Sequence, residues 1–476
     1  MNTTTSTSSR IATIDILRGI AIFGMILCAN IGWESRLPAW MFHAQVPPPD
    51  YVFRPDVPGI TWVDLVFPFF LFSMGAAFPF ALDKRIRSGQ PAGKTVLGLV
   101  KRWAILVAFS IVLGNGYAAR SSEVNRYVIY GFQLLLWGAM FLSLTRFNFR
   151  KERLSTLVNI SGVALTAVLA VIQHTVLDVP FSKGRSDIII MVLAYVALTG
   201  GLIWLATRKS VIYRWMVFIG IGIIKGITAY APGVFAFLPD VDSLGIGWIF
   251  RWEFLQYLMI ALAGSVVGDM ILARRNECLP AGDQCGNMDR PAISRKDTWL
   301  ANLVILTVCF QLWGLFTRHV TADFAVSAVS ALLFITMTYR KRNLWSDIAA
   351  IGYILLLAGI VFDPIDGGIT KDHCNLSYLL TTAGMAAMTT GFLIFMETCY
   401  GMKARLLSEC GQNPMIAYTV TNFITSPVLY GAGLLGLIDS WACGSPFMGI
   451  VRGLFVTGIM MAITVFFTRK RIFWRS

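Results

Sequence analysis

Three residues that could take part in proton transfer lie close together in the first part of the chain. Asn30 stands near the end of the first apolar segment, His43 in the polar loop that follows, and Asp64 near the start of the second apolar segment. A histidine can take a proton from an amine or a hydroxyl at neutral pH. A carboxamide could donate to a developing oxyanion, and a carboxylate could orient the histidine.

Each of these residues also has a purely structural interpretation. His43 could cap a helix or bond a carbonyl group, and Asn30 could bond a neighbouring helix. Thr61 and Asp64 have the spacing of a capping box, in which the acid serves the N-terminus of its own helix. The spacing alone therefore leaves the catalytic and the structural interpretation of each residue open.

The segments that position these residues are predicted to cross a membrane. The chain has 476 residues, of which 56% are hydrophobic and 14% are charged, whereas about 25% of residues in soluble proteins are charged. Apolar runs of roughly 18 residues or more recur from end to end. The sequence predicts an all-α polytopic membrane protein with about 11–14 transmembrane helices. Within it, 298–316 and 320–338 are either two spans or one broken element.

The basic residues predict the topology. The net charge of +14 comes from Lys and Arg in short clusters between apolar segments. That pattern is typical of cytoplasmic loops and not of a nucleic-acid-binding surface. Both termini are predicted to be cytoplasmic, with 1–10 as a polar tail, 11–468 as one transmembrane domain and 469–476 as a basic tail. The first apolar segment is expected to be an uncleaved helix, so the loop with His43 faces the outer side.

A second outer loop, 364–377, carries polar side chains with Gly and Pro punctuation nearby. The candidates for binding a substrate in this loop are Asp366, Lys371, Asp372 and His373. Such a set would suit a sugar or another hydroxyl-rich acceptor, although each residue could simply be solvated. Trp33 and Trp40 could stack on a sugar ring or could belong to the aromatic belt of the membrane interface.

Other motifs of known chemistry are missing from the sequence. Cys278 and Cys285 share a loop, but that loop contains no histidine, so none of the eight cysteines predicts a metal site. A disulfide between Cys374 and Cys443 on the outer side is one option that the spacing does not demand. There is no Gly-rich loop with GK[ST], no HExxH and no GxSxG elbow. The sequence therefore predicts neither nucleotide hydrolysis nor serine hydrolysis.

Four stretches of the chain resemble a known family. DILRGIAIFGMILCAN, the loop histidine followed by alanine, and GITWVDLVFPFFLFSMG resemble the start of heparan-α-glucosaminide N-acetyltransferase and its bacterial relatives, the predicted acyltransferases. GGITKDHCNLSYLLTTAG and GQNPMIAY resemble later parts of the same family. The middle of the chain, about 150–245, resembles it only in hydropathy.

The resemblance implies a reaction and a set of site residues. Enzymes of this family transfer an acetyl group from cytosolic acetyl-CoA to a glucosamine amine on the far side of the membrane. The resemblance makes His43 the active-site histidine and Asn30 its partner. Asp64 is the third catalytic candidate, as the acid that could orient the histidine. Cytoplasmic polar residues would then hold the phosphates of the donor, for which the candidates are Arg18, Lys101, Arg102 and Asn413. Arg18 could equally pair with Asp15, three residues before it.

The resemblance also sets expectations for location and assembly. It implies a cytoplasmic (inner) membrane of bacterial type, with the His43 loop facing the periplasm, and it suggests a homodimer. Two departures concern the acceptor, since the loop HAQVPPPDYVFRPDVPGIT is longer than in the sugar enzyme and the large luminal domain is absent. The alternative function is a transporter or flippase for a small polar solute or a lipid-linked sugar. We see no symmetry between two halves of the sequence, as transporters often have.

Overall fold

The computed structural model describes residues 12–32, 37–145, 147, 152–235, 242–278, 294–340 and 342–474. These residues form α-helices joined by short loops. The helices are α1 Ala12–Asn30, α2 Trp62–Arg87, α3 Ala92–Ala118, α4 Arg126–Leu144, α5 Glu152–Thr175, α6 Ile188–Thr207, α7 Val211–Tyr230, α8 Leu258–Cys278, α9 Arg295–Thr317, α10 Val320–Thr338, α11 Leu344–Phe362, α12 Leu376–Tyr400, α13 Arg405–Gly411, α14 Pro414–Val420, α15 Ser426–Gly431, α16 Leu435–Gly444 and α17 Pro446–Arg469.

Thirteen of the described helices are long and apolar enough to cross a membrane. The prediction of an all-α polytopic membrane protein is therefore confirmed, and the chain is an integral membrane protein. The least buried of the thirteen is α5 and the most buried is α12, which indicates that α12 lies in the middle of the bundle. The candidates Asn30, His43, Asp64 and Lys371 lie at or next to the end of α1 and the starts of α2 and α12.

Helices α9 and α10 are two separate spans that pack as an antiparallel hairpin. The Gln311 side chain donates to the Asp323 carbonyl near the turn, at 3.0 Å, and the Lys296 ammonium donates to the Met337 carbonyl at the other end, at 2.6 Å. Because the contacts pair the end of one helix with the start of the next, 298–316 and 320–338 are not one broken element.

A different segment is broken instead. Pro414–Gly431 and Leu435–Trp441 are inclined to each other by 108°, and a turn of π-helix over Thr421–Thr425 interrupts the first of them. Turns of this kind appear mostly as local interruptions of α-helices and often lie at functional sites. If the bent pair counts as one span, the described residues contain up to 14 spans, the upper end of the predicted range.

The first helix and the last helix meet at the same end of the bundle, through α13. The backbones of α1 and α13 touch, since a Cβ on Gly19 would lie 2.0 Å from the Leu407 carbonyl oxygen. At the other side of α13, the Thr468 hydroxyl donates to the Glu409 carbonyl at 3.0 Å. The start of α1 and the end of α17 therefore lie at one side, as the topology prediction requires; which compartment that side faces stays a prediction.

The basic tail predicted over 469–476 is not a free tail over its described part. The Asn413 side chain donates to the Ile472 carbonyl at 2.8 Å, and Trp474 forms an antiparallel bridge with Thr145. Trp474 is 6% exposed. The physical reason is that the tail contains an apolar run, Ile472 to Trp474, which gains free energy when it is buried.

Helices α2 and α8 approach closely through glycines, as is common between helices in membranes. A Cβ on Gly264 would lie 2.1 Å from the Phe72 carbonyl oxygen, whereas a Cβ on Gly458 in α17 would meet nothing within 4 Å. Both glycines lie inside helices, so they share the same change in helix propensity on substitution by alanine.

We expect Gly264→Ala to lower the free energy of unfolding by about 1–3 kcal/mol, because the added methyl group overlaps a backbone atom that cannot rotate away. Gly458→Ala is the matched control and should be neutral or stabilise the protein by up to about 1 kcal/mol. Thermal unfolding of the two variants in detergent compares them directly. Equal midpoints would contradict the close packing of α2 against α8.

Candidate functional site

The strongest candidate for chemistry is a pair formed by His43 and Asp64. Nδ1 of His43 lies 2.6 Å from Oδ1 of Asp64. The carboxylate is fully buried, whereas 31% of the imidazole surface is exposed. A buried carboxylate is therefore bonded to Nδ1 of an imidazole that is partly exposed.

Asp64 reaches this position because it also caps the helix that carries it. Its Oδ2 accepts from the backbone N–H of Thr61 at 3.0 Å, and the Thr61 hydroxyl accepts from the N–H of Val63 at 3.2 Å. Oδ2 also accepts from the N–H of Ala44 at 3.3 Å, which ties the His43 loop to the start of α2. The capping box predicted from the sequence is confirmed, and the same carboxylate orients the histidine with its other oxygen.

Lys371 joins this pair from a distant part of the sequence. Its Nζ lies 3.1 Å from Nδ1 of His43 and 3.8 Å from Oδ1 of Asp64. A carboxylate only accepts hydrogen bonds, so the short contact to Asp64 requires the proton on Nδ1. A protonated Nδ1 cannot accept from the ammonium group. We conclude that Lys371 faces the Asp64 carboxylate, and that Nε2 of His43 carries the lone pair.

The loop that delivers Lys371 is anchored by an ion pair. Arg318 donates two hydrogen bonds to the Asp363 carboxylate, at 2.9 and 2.7 Å, and the N–H of Ile369 donates to the same carboxylate at 2.8 Å. The N–H of Gly59 donates to the Ile369 carbonyl at 2.8 Å. The His43 loop and the loop 364–377 are therefore bonded to each other, which fixes Lys371 beside His43.

Within the described residues, neither Asn30 nor Trp40 bonds to the His43–Asp64 pair. The Asn30 amide donates to the Ile26 carbonyl of its own helix at 2.7 Å. Because an amide has two N–H groups, one donor of Asn30 is left for another partner. Trp40 is 52% exposed and lies in a short 3₁₀ turn, and Trp33 lies outside the described residues. The roles of Asn30 and Trp40 stay predictions.

A polar cavity of about 540 Å³ lies beside the two loops and contains two of the predicted residues, Asp366 and His373. His373 pairs through Nε2 with Asp56 at 2.8 Å, and the Asp366 carboxylate accepts from the Tyr230 hydroxyl at 2.7 Å. Asp372 is exposed on the same loop. We call this space the outer cavity. Neither His43 nor Lys371 lines the outer cavity. The loop 364–377 therefore contributes Lys371 to the His43 pair, and Asp366 and His373 to the cavity.

A second cavity of about 500 Å³, the inner cavity, lies between α1, α2, α3, α6 and α14. It contains two of the four predicted donor-binding residues, Arg18 and Arg102, and most of its other walls are apolar. The remaining two lie elsewhere: Lys101 is exposed on α3, and Asn413 is buried with its amide bonded to Ile472.

The two arginines of the inner cavity differ in their partners. Arg18 lies 3.5 Å from Asp15, so the predicted pair is formed, and it also donates to the Gly411 carbonyl at 3.3 Å. Arg102 makes no hydrogen bond or ion pair within the described part of the chain, and its Nε is buried. Arg18 and Arg85 add like charge nearby. A guanidinium in this position favours an anion as its partner.

The inner cavity extends along α1 toward the histidine. It is lined by Arg18 and by Met25, which are seven residues apart and so about 10 Å apart along the helix axis. The Cys28 thiol, one turn further, donates to the Met25 carbonyl and lies within electrostatic range of Lys371 and Asp64. Arg18 and Cys28 are ten residues apart in α1, which is roughly 15 Å along the helix axis.

One protein family matches the chain. A family described as a domain of unknown function (DUF5009) matches residues 10–271, more than half of the chain. The chain belongs to this family. The matched residues contain α1, His43, Asp64 and Arg102, whereas Lys371 and the outer loop around it lie outside the match. No curated protein matches the chain.

Several residues of the candidate site and of the inner cavity were not predicted from the sequence. Tyr378 donates from its hydroxyl to the Asp64 carbonyl at 2.8 Å, Arg318 and Asp363 anchor the loop, and Trp474 lines the inner cavity. Arg318 and Asp363 are charges next to apolar segments, a signal of pairing in membranes. Nothing in the sequence indicates that Trp474 folds back from the end of the chain.

The disulfide considered between Cys374 and Cys443 is not formed, since both cysteines are free thiols. Cys374 is buried and Cys443 is exposed. Burial raises the pKa of the Cys374 thiol to about 12, so this thiol stays protonated at neutral pH and is a poor nucleophile.

Proposed function

We propose that this DUF5009 protein is a transmembrane acyltransferase that moves an acetyl group from acetyl-CoA to an amine or hydroxyl of an amino sugar or glycan. The observation that carries the proposal is the His43–Asp64 pair, with Nδ1 bonded to a buried carboxylate and Nε2 left open. This is the arrangement in which a histidine acts as a general base and its imidazolium form is stabilised.

The reaction would proceed by attack of the acceptor on the thioester carbonyl. As the new C–N or C–O bond forms, Nε2 of His43 takes the proton of the attacking group, and Asp64 stabilises the imidazolium. The free N–H of Asn30 is our candidate donor to the oxyanion of the tetrahedral intermediate. The C–S bond then breaks, and the imidazolium returns its proton to the departing thiolate of coenzyme A.

The inner cavity suits the donor in charge and in shape. Its two guanidinium groups would bind the phosphates, and its apolar walls would enclose the pantetheine arm. The arm is long and unbranched, so it can cover the roughly 15 Å along α1 between Arg18 and the level of Cys28. In this proposal the Arg18 end faces the cytoplasm, where acetyl-CoA is made, and the His43 loop faces the opposite compartment.

The outer cavity suits the acceptor. Asp366, Asp56 and His373 line it, together with Lys225, and carboxylates attract the ammonium form of an amino sugar while all of these groups can bond hydroxyls. Asp56 of the His43 loop and His373, two residues after Lys371, both line the cavity. In this proposal a sugar bound there places its amine on Nε2 of His43.

The proposal is tested with purified protein in detergent, acetyl-CoA labelled in its acetyl group, and a panel of amino sugars and their glycosides. We expect label on the acceptor and release of free coenzyme A in equal amounts. Label that stays on the protein without an acceptor would indicate an acyl-enzyme intermediate. Failure to bind acetyl-CoA would contradict the proposal.

We expect Arg102→Gln to weaken the binding of coenzyme A about ten- to a hundredfold, because one charge-assisted hydrogen bond to a phosphate is lost. Lys101→Gln is the matched control, since Lys101 is the neighbouring cation but is exposed outside the cavity; its affinity should change less than threefold. Calorimetric titration of both variants measures the difference. Equal losses in the two variants would mean that the basic residues attract the donor only through their overall charge.

The broken helix over 414–441 is the observation that favours the transporter alternative, because discontinuous helices form the substrate sites of many transporters. The two functions differ in their response to one substitution. Uptake of an amino sugar into proteoliposomes without acetyl-CoA, unchanged in His43→Ala, would support a transporter and exclude the acyltransferase.

A further inference from the structure

One polar group in the wall of the inner cavity comes from the segment that follows α17. Trp474 lines this cavity and is 6% exposed. Its indole N–H is buried and has no hydrogen-bond partner among the described residues. A buried donor without a partner is rare in proteins and is costly unless a ligand or another group completes it.

Trp474 is held in this place by contacts on several sides. The bridge to Thr145 and the bond from Asn413 to the Ile472 carbonyl fix the backbone of the segment. The indole ring packs against Phe109, at 5.9 Å between ring centroids, and against Trp137, at 5.4 Å. These ring contacts restrain the orientation of the indole.

The chemistry of the cavity indicates what this N–H meets. The guanidinium groups of Arg18 and Arg102 and the indole of Trp474 all donate hydrogen bonds and cannot accept them. Arg102 lacks a partner in the described part of the chain, as Trp474 does. Gln412 and Tyr418 are the other polar residues of the lining, and the Tyr418 hydroxyl already donates to the Asp187 carboxylate at 2.8 Å. Two guanidinium groups and an indole N–H beside mostly apolar walls select a ligand whose polar end is anionic and rich in oxygen.

We propose that Trp474 is a ligand-binding residue of the inner cavity, whose indole N–H donates to a phosphate oxygen held between Arg18 and Arg102. The inference rests on the proposed function in taking coenzyme A as the ligand. It adds that the last turn of chain after α17 belongs to the donor site, so that the site is complete only when residues 470–474 are folded against the bundle.

The test compares Trp474→Phe with Trp137→Phe in the full-length protein. Phenylalanine keeps an aromatic ring in the cluster and removes only the indole N–H and one ring. Trp137 is the matched control because it lies in the same cluster but donates its N–H to the Thr419 hydroxyl, at 3.0 Å, and does not line the cavity. Binding of coenzyme A and of inorganic pyrophosphate is measured by calorimetry, and unfolding midpoints verify that both variants are folded.

We expect Trp474→Phe to weaken the binding of coenzyme A about tenfold, the usual effect of one lost hydrogen bond to a charged group, with Trp137→Phe within twofold of the wild type. Equal affinity in wild type and Trp474→Phe would overturn the inference and leave the proposed function standing. Binding of pyrophosphate that depends on Trp474, without binding of coenzyme A, would support the inference and overturn the proposed function. A wild type that binds neither probe would overturn both.

Discussion

His43→Ala should lower the turnover of acetyl transfer by about 10²–10⁴-fold, the range found for loss of a positioned general base. The imidazole is the group that would take the proton of the acceptor. Among the described residues, no other imidazole and no other carboxylate is bonded to the side chain of Asp64. The affinity for coenzyme A should stay within about twofold, because the inner cavity that binds it is lined by other residues. Turnover is measured by transfer of labelled acetyl, and affinity by calorimetry.

The control for His43→Ala is His174→Ala, an exposed histidine in α5, which should have wild-type turnover. Added imidazole should restore part of the activity of His43→Ala, since 31% of the His43 side chain is exposed and the space it leaves is open. Wild-type turnover in His43→Ala would remove His43 from the mechanism. Loss of coenzyme A binding in this variant would instead indicate a structural role for the histidine.

Asp64→Asn is expected to lower turnover by roughly 10³-fold while leaving the protein folded. The asparagine oxygen can still accept from the N–H groups of Thr61 and Ala44, so the helix keeps its cap. The amide NH₂ then faces Nδ1 of His43 and donates to it. This moves the imidazole proton to Nε2, where the base was, and removes the negative charge that stabilises the imidazolium.

Asp50→Asn is the matched control for this substitution, because Asp50 lies in the same loop and its carboxylate forms an exposed ion pair with Arg54. Such a pair contributes little, so its turnover should equal that of the wild type. Thermal unfolding verifies that Asp64→Asn is folded, and the rate is measured across pH. If Asp64→Asn kept turnover within tenfold of the wild type, Asp64 would act as a helix cap alone.

Contacts between residues within one helical turn were predicted correctly from the sequence. Thr61 and Asp64 are three residues apart, and their capping box is formed as the spacing predicts. Asp15 and Arg18 are likewise three apart on one helix and form their pair. Such contacts depend only on the geometry of one helical turn, which is the same in every protein.

Contacts between residues far apart in the sequence were not predicted. Lys371 and His43 are separated by 328 residues, and only the bonded outer loops bring them together. Lys101 and Arg102 are neighbours in sequence, yet one is exposed and the other lines the inner cavity. Adjacent residues of a helix point in directions about 100° apart, so the side that faces the bundle decides which of the two can bind a ligand.

By itself, the sequence determined that the chain is an integral membrane protein built of helices, because hydrocarbon forces apolar composition and satisfied backbone bonds on every span. It also placed Asn30 and Asp64 at the same end of the first two helices and His43 in the loop between them, because consecutive spans run in opposite directions across the membrane. Three features come from the tertiary structure alone. Asp64 bonds both to its own helix and to the histidine, Arg102 lies in a cavity with no ion-pair partner among the described residues, and residues 472–474 fold back to place Trp474 in that cavity. These features depend on packing between distant segments, which no local pattern encodes.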